Sequence, residues 1–321
     1  MKRTSLAIGM VASVIGCGSG ADSREDDTSW HEQPGNKKVS STLPTAAAEC
    51  DQMTFQPQKR TWTIDLDGAF RTFNVIVPSS YSPHVPTPLV LHFHAFTLSP
   101  DGQEWMTGMA KSAEKNGFIL VYPAGTGVPS SFNGGACCGG AQSSNVDDVG
   151  FASKILDAVE ASICVDKHRV FATGLSNGAF MSHRLGCELS SRIAAIAPVS
   201  GVIGVTACNP SRAMPVIEFH GINDPIVPYN GQSLFGWPSV QDTVDGWSRR
   251  NHCTGLPIQT MRTRSVECIT KGDCEGGAEV TLCSITGGGH AWPGGLSSEV
   301  NASEFSANDQ MWSFFKRHPM P

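Results

Sequence analysis

Apolar positions along this chain fall in short unbroken runs: Pro88-Leu-Val-Leu-His-Phe, Phe118 to Tyr122, Val170 to Thr173, Val216 to Phe219 and Val280 to Ile285. Runs of this kind, bounded by turn residues, predict strands buried on both faces. Between them the apolar spacing becomes helical. It does so from about Gly102 to Asn116, from Asp147 to about Ile163, through Ala179, Phe180, Met181, Arg184 and Leu185, and around Ser239 to Arg250. Strands alternating with helices predict an α/β protein whose mostly parallel central sheet is flanked by helices. Ahead of them, Arg60 to Leu66 and Arg71 to Val77 meet at Asp67-Gly68, which predicts a hairpin.

The run ending at Thr173 leads into Gly174-Leu-Ser-Asn-Gly178. Glycines on both sides of Ser176 keep Cβ atoms away where a strand turns sharply into a helix, so the pattern predicts a nucleophile elbow with Oγ at its apex. A serine hydroxyl is a weak nucleophile alone and needs a base oriented by an acid. Both follow in the order this arrangement uses. Asp224 comes just after the Val216 run with Pro225 behind it, and His290 stands in the glycine loop after the Val280 run. Each candidate therefore closes a predicted strand, where open α/β sheets gather their sites.

At the chain's start, Met1-Lys-Arg-Thr is a basic head, Leu6 to Ile15 is apolar, and Val14-Ile-Gly-Cys17 follows. This resembles a bacterial lipoprotein signal. The resemblance implies removal of residues 1–16, lipid attachment to Cys17 and an extracytoplasmic location at the cell envelope; an ordinary secretory signal is the alternative. Residues 17–49, rich in Ser, Gly, Asp, Glu, Thr and Pro, read as a flexible tether, and the lone Trp30 has no partner pattern. Residues 50–321 are expected to form the folded domain.

Composition suits one large core, with 40% hydrophobic and 16% charged residues. The net charge of −6, with scattered Lys and Arg, argues against nucleic acid and against charge-driven membrane binding, leaving the lipid as the membrane contact. Setting aside Cys17, ten cysteines remain: Cys50, Cys137, Cys138, Cys164, Cys187, Cys208, Cys253, Cys268, Cys274 and Cys283. In an exported chain these read as a disulfide set of open connectivity. The last four are close enough to staple one another ahead of His290. No CxxC pair or zinc-spaced histidine appears, so no metal and no organic cofactor is expected.

The end of the Pro88 run, His92-Phe-His-Ala-Phe-Thr97, stands where an oxyanion loop is needed. Asn177, the residue after the nucleophile, offers one backbone N–H, and Phe96 is the candidate for the other. His92 and His94 are expected to orient this loop rather than exchange protons. Asp148, which precedes the serine, reads as a helix cap with Asp147.

The segments Arg71-Thr-Phe, Gly117-Phe-Ile-Leu-Val-Tyr-Pro, Cys137-Cys-Gly, Val146-Asp-Asp-Val-Gly-Phe, Gly174-Leu-Ser-Asn-Gly, His220-Gly-Ile-Asn-Asp-Pro-Ile-Val-Pro-Tyr, Gly288-Gly-His-Ala-Trp-Pro-Gly and Trp312-Ser-Phe-Phe resemble the polyhydroxybutyrate depolymerase and feruloyl esterase family. The resemblance spans about Thr61 to Pro319. It implies a single-domain α/β hydrolase with Ser176 as nucleophile, Asp224 as acid and His290 as base, in agreement with the residue reading. One departure stands out: His94-Ala95 occupies the place where the family usually has His-Gly. The spacing from Ser176 to His290 leaves little room for a lid, which suits a bulky or polymeric ester. The leading expectation is a polyester depolymerase. Its alternative is a feruloyl or acetyl esterase acting on plant polysaccharide, and a distant third is a surface binding protein that kept the fold. Trp292 and Phe96 are candidate walls of the acyl site.

Overall fold

A computed structural model describes residues 50, 53–66, 68–296, 298–300 and 304–321. The signal, Cys17, the tether and Trp30 lie outside the described residues.

The expected hairpin is β1 (Gln58–Leu66) and β2 (Ala69–Val77), antiparallel with Leu66 opposite Ala69. Gly68 takes φ +86° in the turn, a value a side chain would oppose. The five buried runs form β3 (Thr87–Phe93), β4 (Ile119–Pro123), β5 (Val165–Leu175), β7 (Val216–Gly221) and β10 (Val280–Ile285), and a further strand that no expected run marked, β6 (Ala195–Val199), lies between β5 and β7. Before β10 come β8 (Ile258–Arg262) and β9 (Val266–Lys271). Sheet order is β1-β2-β4-β3-β5-β6-β7-β10-β9-β8, parallel from β4 through β10 and antiparallel at both margins. Every residue of β3, β4, β6 and β7 is buried, as a sheet covered on both faces requires.

Among the described residues seven helices cover it: α1 (Pro100–Thr107), α2 (Met109–Asn116), α3 (Gly139–Ser143), α4 (Asp148–Glu160), α5 (Asn177–Glu188), α6 (Val240–Arg250) and α7 (Ala307–Arg317). Phe151, Ile155 and Leu156 of α4, Phe180 and Leu185 of α5, and Val244 and Trp247 of α6 pack on one core. Met109 and Ala113 of α2 and Met311, Trp312 and Phe315 of α7 pack on the other. There Trp312 stacks on Phe118 at 4.6 Å and Phe315 on Phe171 at 4.4 Å.

The single helix expected over Gly102 to Asn116 is two helices. Gly108 adopts φ +62° and donates its N–H to the Glu104 carbonyl, a left-handed cap that ends α1 and starts α2 in a new direction. The span from β7 to His290 is filled by α6, β8, β9 and β10, with no inserted lid domain. Among the described residues five disulfides form: Cys50–Cys164, Cys137–Cys138, Cys187–Cys208, Cys253–Cys274 and Cys268–Cys283. The last two staple the β9–β10 region as expected. Such a set belongs to a protein matured in an oxidising, extracytoplasmic compartment.

Candidate active site

β5 runs into Ser176, and α5 begins at the next residue. Ser176 holds φ 57° and ψ −117°, a region costing a non-glycine residue roughly 1–3 kcal/mol. Its surroundings enforce the conformation. The Ser176 N–H donates to the Val199 carbonyl at 2.9 Å, while its own carbonyl accepts from Ala179 and Phe180 at 2.8 and 3.1 Å. A Cβ on Gly174 would lie 2.5 Å from the Gly178 carbonyl, and one on Gly178 would overlap the Phe93 carbonyl. Both glycines are thus required by close backbone packing at the elbow. Ser176 is 8% exposed.

Asp224 follows β7 in a turn that points its carboxylate back at the site. Oδ1 accepts the N–H groups of Ile226 and Val227 at 2.8 and 2.9 Å, and Oδ2 meets His290 Nδ1 at 2.7 Å. Burial favours the neutral acid, but the His290 hydrogen bond and charge, with the Val227 N–H and His220, outweigh it and hold the carboxyl below its usual range. The acid and base loops are joined by Ile222 N–H to the Ile285 carbonyl and Asn223 N–H to the Gly288 carbonyl, both at 2.9 Å. With Nδ1–H given to Asp224, His290 Nε2 has no hydrogen-bond partner among the described residues. No hydrogen bond links Ser176 to His290 among the described residues, a looseness common in unliganded sites. Just after β6, Ser200 Oγ lies 3.5 Å from the Ala291 carbonyl, and a Cβ on Gly201 would lie 3.0 Å from the Ser176 carbonyl oxygen, so Ser200-Gly201 touches both the elbow and the His290 loop.

The oxyanion loop is held at three points around Phe96. The Ala95 N–H donates to Gln103 Oε1 at 3.1 Å, and the Thr97 N–H donates to the Ser130 carbonyl at 2.9 Å. His94 Nδ1 donates to the Ala95 carbonyl at 2.8 Å, while its Nε2 accepts from the Gly125 N–H at 2.9 Å. Neither the Phe96 N–H nor the Asn177 N–H is hydrogen-bonded to another group among the described residues. The left-handed residue here is Thr97, at φ 73°, and Ala95 has no positive φ, which explains why alanine replaces the usual glycine without diverting the backbone.

His92 is fully buried between Tyr122 and Trp292, at ring distances of 4.9 and 4.8 Å, and accepts from the Gln103 amide at Nε2, 3.0 Å away. Burial and the neighbouring His94 push its pKa down to about 3. Both histidines therefore hold the loop as neutral rings. Gln103 is a positioning residue that the sequence reading passed over, because a polar residue on a helix carries no signal of its partner.

Two assignments change. Trp292 is 1% exposed, stacked on His92, with its Nε1–H given to Asn308 Oδ1 at 2.8 Å. It supports the loop from beneath and is not a wall of the acyl site. The helix cap belongs to Asp147, whose side chain accepts from the Gly150 N–H at 2.8 Å. Asp148 instead is buried, receiving Arg71 at 2.8 Å and the Asn133 N–H at 2.7 Å. Phe96 is 36% exposed, with its ring edge against Gly139.

The fold compares with an acetyl xylan esterase from Aspergillus awamori at a TM-score of 0.59 and 16% identity, covering 80% of this chain and 99% of that one. The chain has the α/β-hydrolase fold. No family model matches it. By sequence it is 31% identical over 258 residues to feruloyl esterase B of Piromyces equi, covering 76% of this chain and 44% of that protein. The chain therefore spans less than half the length of that relative. It is 25% identical to a probable feruloyl esterase C of Aspergillus terreus, covering 86% of this chain and 94% of that one. The sequence relatives of this α/β hydrolase are thus esterases.

Proposed function

We propose that the chain is a serine ester hydrolase that removes feruloyl groups from plant polysaccharide through an acyl-enzyme. The observation that supports the chemistry is the Asp224–His290 pair held between two joined loops, in a fold that also carries a strained serine elbow at the end of β5. Ser176 Oγ attacks the ester carbonyl as its proton passes to His290 Nε2, and Asp224 stabilises the resulting imidazolium. The Phe96 and Asn177 N–H groups bind the oxyanion. Collapse expels the sugar hydroxyl with the proton from His290, and water then repeats the sequence on the acyl-enzyme. No step calls for a metal or organic cofactor.

Relatives named feruloyl esterases, one of them matched over nearly its whole length, favour this substrate over the polyester expected first. The half-exposed Phe96 ring suits an aromatic acyl group. The same reading places the chain at the cell envelope through a lipid on Cys17, for which the mass of the mature N-terminal peptide is the test.

The deciding experiment is hydrolysis of p-nitrophenyl acetate by the full chain and its Ser176→Ala variant, followed by feruloylated arabinoxylan beside polyhydroxybutyrate film. Ferulate release abolished in the variant supports the reading. Equal activity removes Ser176 as nucleophile, inactivity of both folded proteins returns the chain to a binding protein, and release from the film alone restores the polyester depolymerase.

A further inference from the structure

Behind Asp224 lies a chain of buried polar groups that the reaction above does not use. Glu218 interrupts the apolar strand β7, and His183 interrupts the buried face of α5. Glu218, His183, His220 and Trp247 are all fully buried. Placing two histidines and a carboxylate out of water is costly unless each is paired, so their partners define what the group does.

The hydrogen-bond directions follow from the ends of the chain. Trp247 Nε1 has only a proton to give, and it donates to His183 Nδ1 at 3.1 Å. His183 Nε2 therefore carries the ring's proton and donates to Glu218 Oε2 at 3.1 Å. At the other end, His220 Nε2 faces the Val227 carbonyl at 2.8 Å, which only accepts, so this nitrogen carries a proton too. His220 Nδ1 faces Glu218 Oε1 at 3.4 Å. Beyond it, His220 Nε2 is 3.5 Å from Asp224 Oδ2.

Val227 ties this chain to the site. Its carbonyl is held by His220, and its N–H is one of the two that fix Asp224 Oδ1. We propose that His220, clamped by Glu218 and His183, is a positioning residue for Asp224. From inside the sheet it locks the Asp224–Val227 turn and sets its ring nitrogen 3.5 Å from the carboxylate that meets His290.

The groups facing His220 are Glu218 on its own strand, Asp224 on the following turn and the ring of Tyr229, whose hydroxyl is occupied by Ser284 at 2.7 Å. Burial favours neutral His220, but the hydrogen bond and charge of Glu218, the Val227 carbonyl and Asp224 outweigh it and raise its pKa. The Trp247 and His183 links hold Glu218 in place for this task.

The proposal rests on the serine-esterase reading of Ser176, and the test separates the two. Full-length His220→Ala, His220→Gln and Glu218→Gln chains are assayed on p-nitrophenyl acetate beside Ser176→Ala, with folding checked by near-ultraviolet circular dichroism. His220→Ala is expected to lose kcat by about 10- to 100-fold with KM within about twofold, since a small displacement of an orienting group costs that much. His220→Gln, which keeps an amide donor for Val227, is expected to recover part of the loss. Glu218→Gln keeps the shape but removes the carboxylate that favours protonated His220. A less readily protonated His220 beside Asp224 moves the acidic limb of the kcat/KM profile upward by about half a unit to one unit.

A folded His220→Ala with kcat within twofold of wild type, or an unmoved limb in Glu218→Gln, overturns the proposal. Should His220→Ala not fold, the Glu218→Gln limb decides alone. An inactive Ser176→Ala alongside such a result confines the failure to the positioning role; an active one removes the nucleophile reading itself.

Discussion

His290 Nδ1 lies 2.7 Å from Asp224 Oδ2, and the other oxygen of that carboxylate is held by the N–H groups of Ile226 and Val227. The carboxylate has little freedom to turn, so it dictates which imidazole nitrogen is free to act as base. Asp224→Asn offers the ring a misdirected amide and favours the wrong tautomer. A loss in kcat of about 10⁴-fold with an intact fold is expected, by analogy with the aspartate of serine-protease triads. Steady-state hydrolysis of p-nitrophenyl acetate with circular dichroism of the same sample checks this. A loss under tenfold would show that another group orients His290.

The same carboxylate links stability to pH. Its folded-state pKa is depressed below the ordinary 3.8, so between the two values the unfolded chain binds more protons than the folded one. The stabilisation is therefore present above the unfolded value and is lost as pH falls through the folded one. The stability gap between wild type and Asp224→Asn, from urea titrations, is expected to narrow between about pH 5 and pH 3. A gap that stays constant over that range argues against an ionised, hydrogen-bonded Asp224.

Gly178 and Gly140 give opposite expectations for one substitution. A methyl group on Gly178 enters the Phe93 carbonyl, which is backbone and cannot swing aside, whereas Gly140 has open space around it. Gly178→Ala is expected to cost about 2 kcal/mol or more and to abolish turnover by displacing the elbow. Gly140→Ala is expected to stay within about 0.5 kcal/mol of wild type. Denaturant midpoints of the two variants make the comparison, and equal midpoints would deny that the elbow depends on this approach.

The turn at Ser176 and the positions of Asp224 and His290 at strand ends were legible because each follows an apolar run and each is marked by glycine or proline, signals that depend on the backbone alone. The five central runs read as strands for the same reason. What was hidden depends on tertiary partners. β6 is an Ala-rich run containing Pro198, with neither alternation nor β-branched density to mark it. The break at Gly108 gives no warning in a helical spacing that continues through it. Trp292 looks like a site residue beside His290, and only the His92 stack and the Asn308 hydrogen bond show that it faces inward. Glu218 was legible as an anomaly, a carboxylate in a strand buried along its whole length, but its meaning required His183 and His220 around it.

Cys50 precedes β1 and is tied to Cys164 at the start of β5, a separation of 114 residues. Closing so long a loop removes much of the unfolded chain's freedom. The Cys50→Ala/Cys164→Ala pair is expected to lose about 4–5 kcal/mol if the chain-entropy account holds. Urea unfolding at neutral pH measures it, and kcat of the folded variant is expected to be unchanged because neither sulfur approaches the site's described contacts. A loss below about 1 kcal/mol would mean that the unfolded ends are already held together by other contacts.

Trp292 and Phe96 separate support from recognition. Trp292→Phe keeps a ring on His92 but leaves Asn308 Oδ1 without its donor in a partly buried setting, which costs about 1 kcal/mol. Because the side chain does not reach the substrate face, KM for a feruloyl ester is expected to stay within about twofold, while the thermal midpoint falls by several degrees. Phe96→Ala removes a half-exposed ring from the oxyanion loop while leaving its backbone N–H, so the reverse pattern follows. The midpoint is nearly unchanged, and KM for a feruloyl ester rises well beyond that for an acetyl ester, since an aromatic pair contributes about 0.5–1.5 kcal/mol beyond area burial. Measured together, the two variants test the assignment twice. A Trp292→Phe chain with raised KM and an unmoved midpoint would return that residue to the acyl site, and a Phe96→Ala chain that treats both esters alike would take Phe96 out of it.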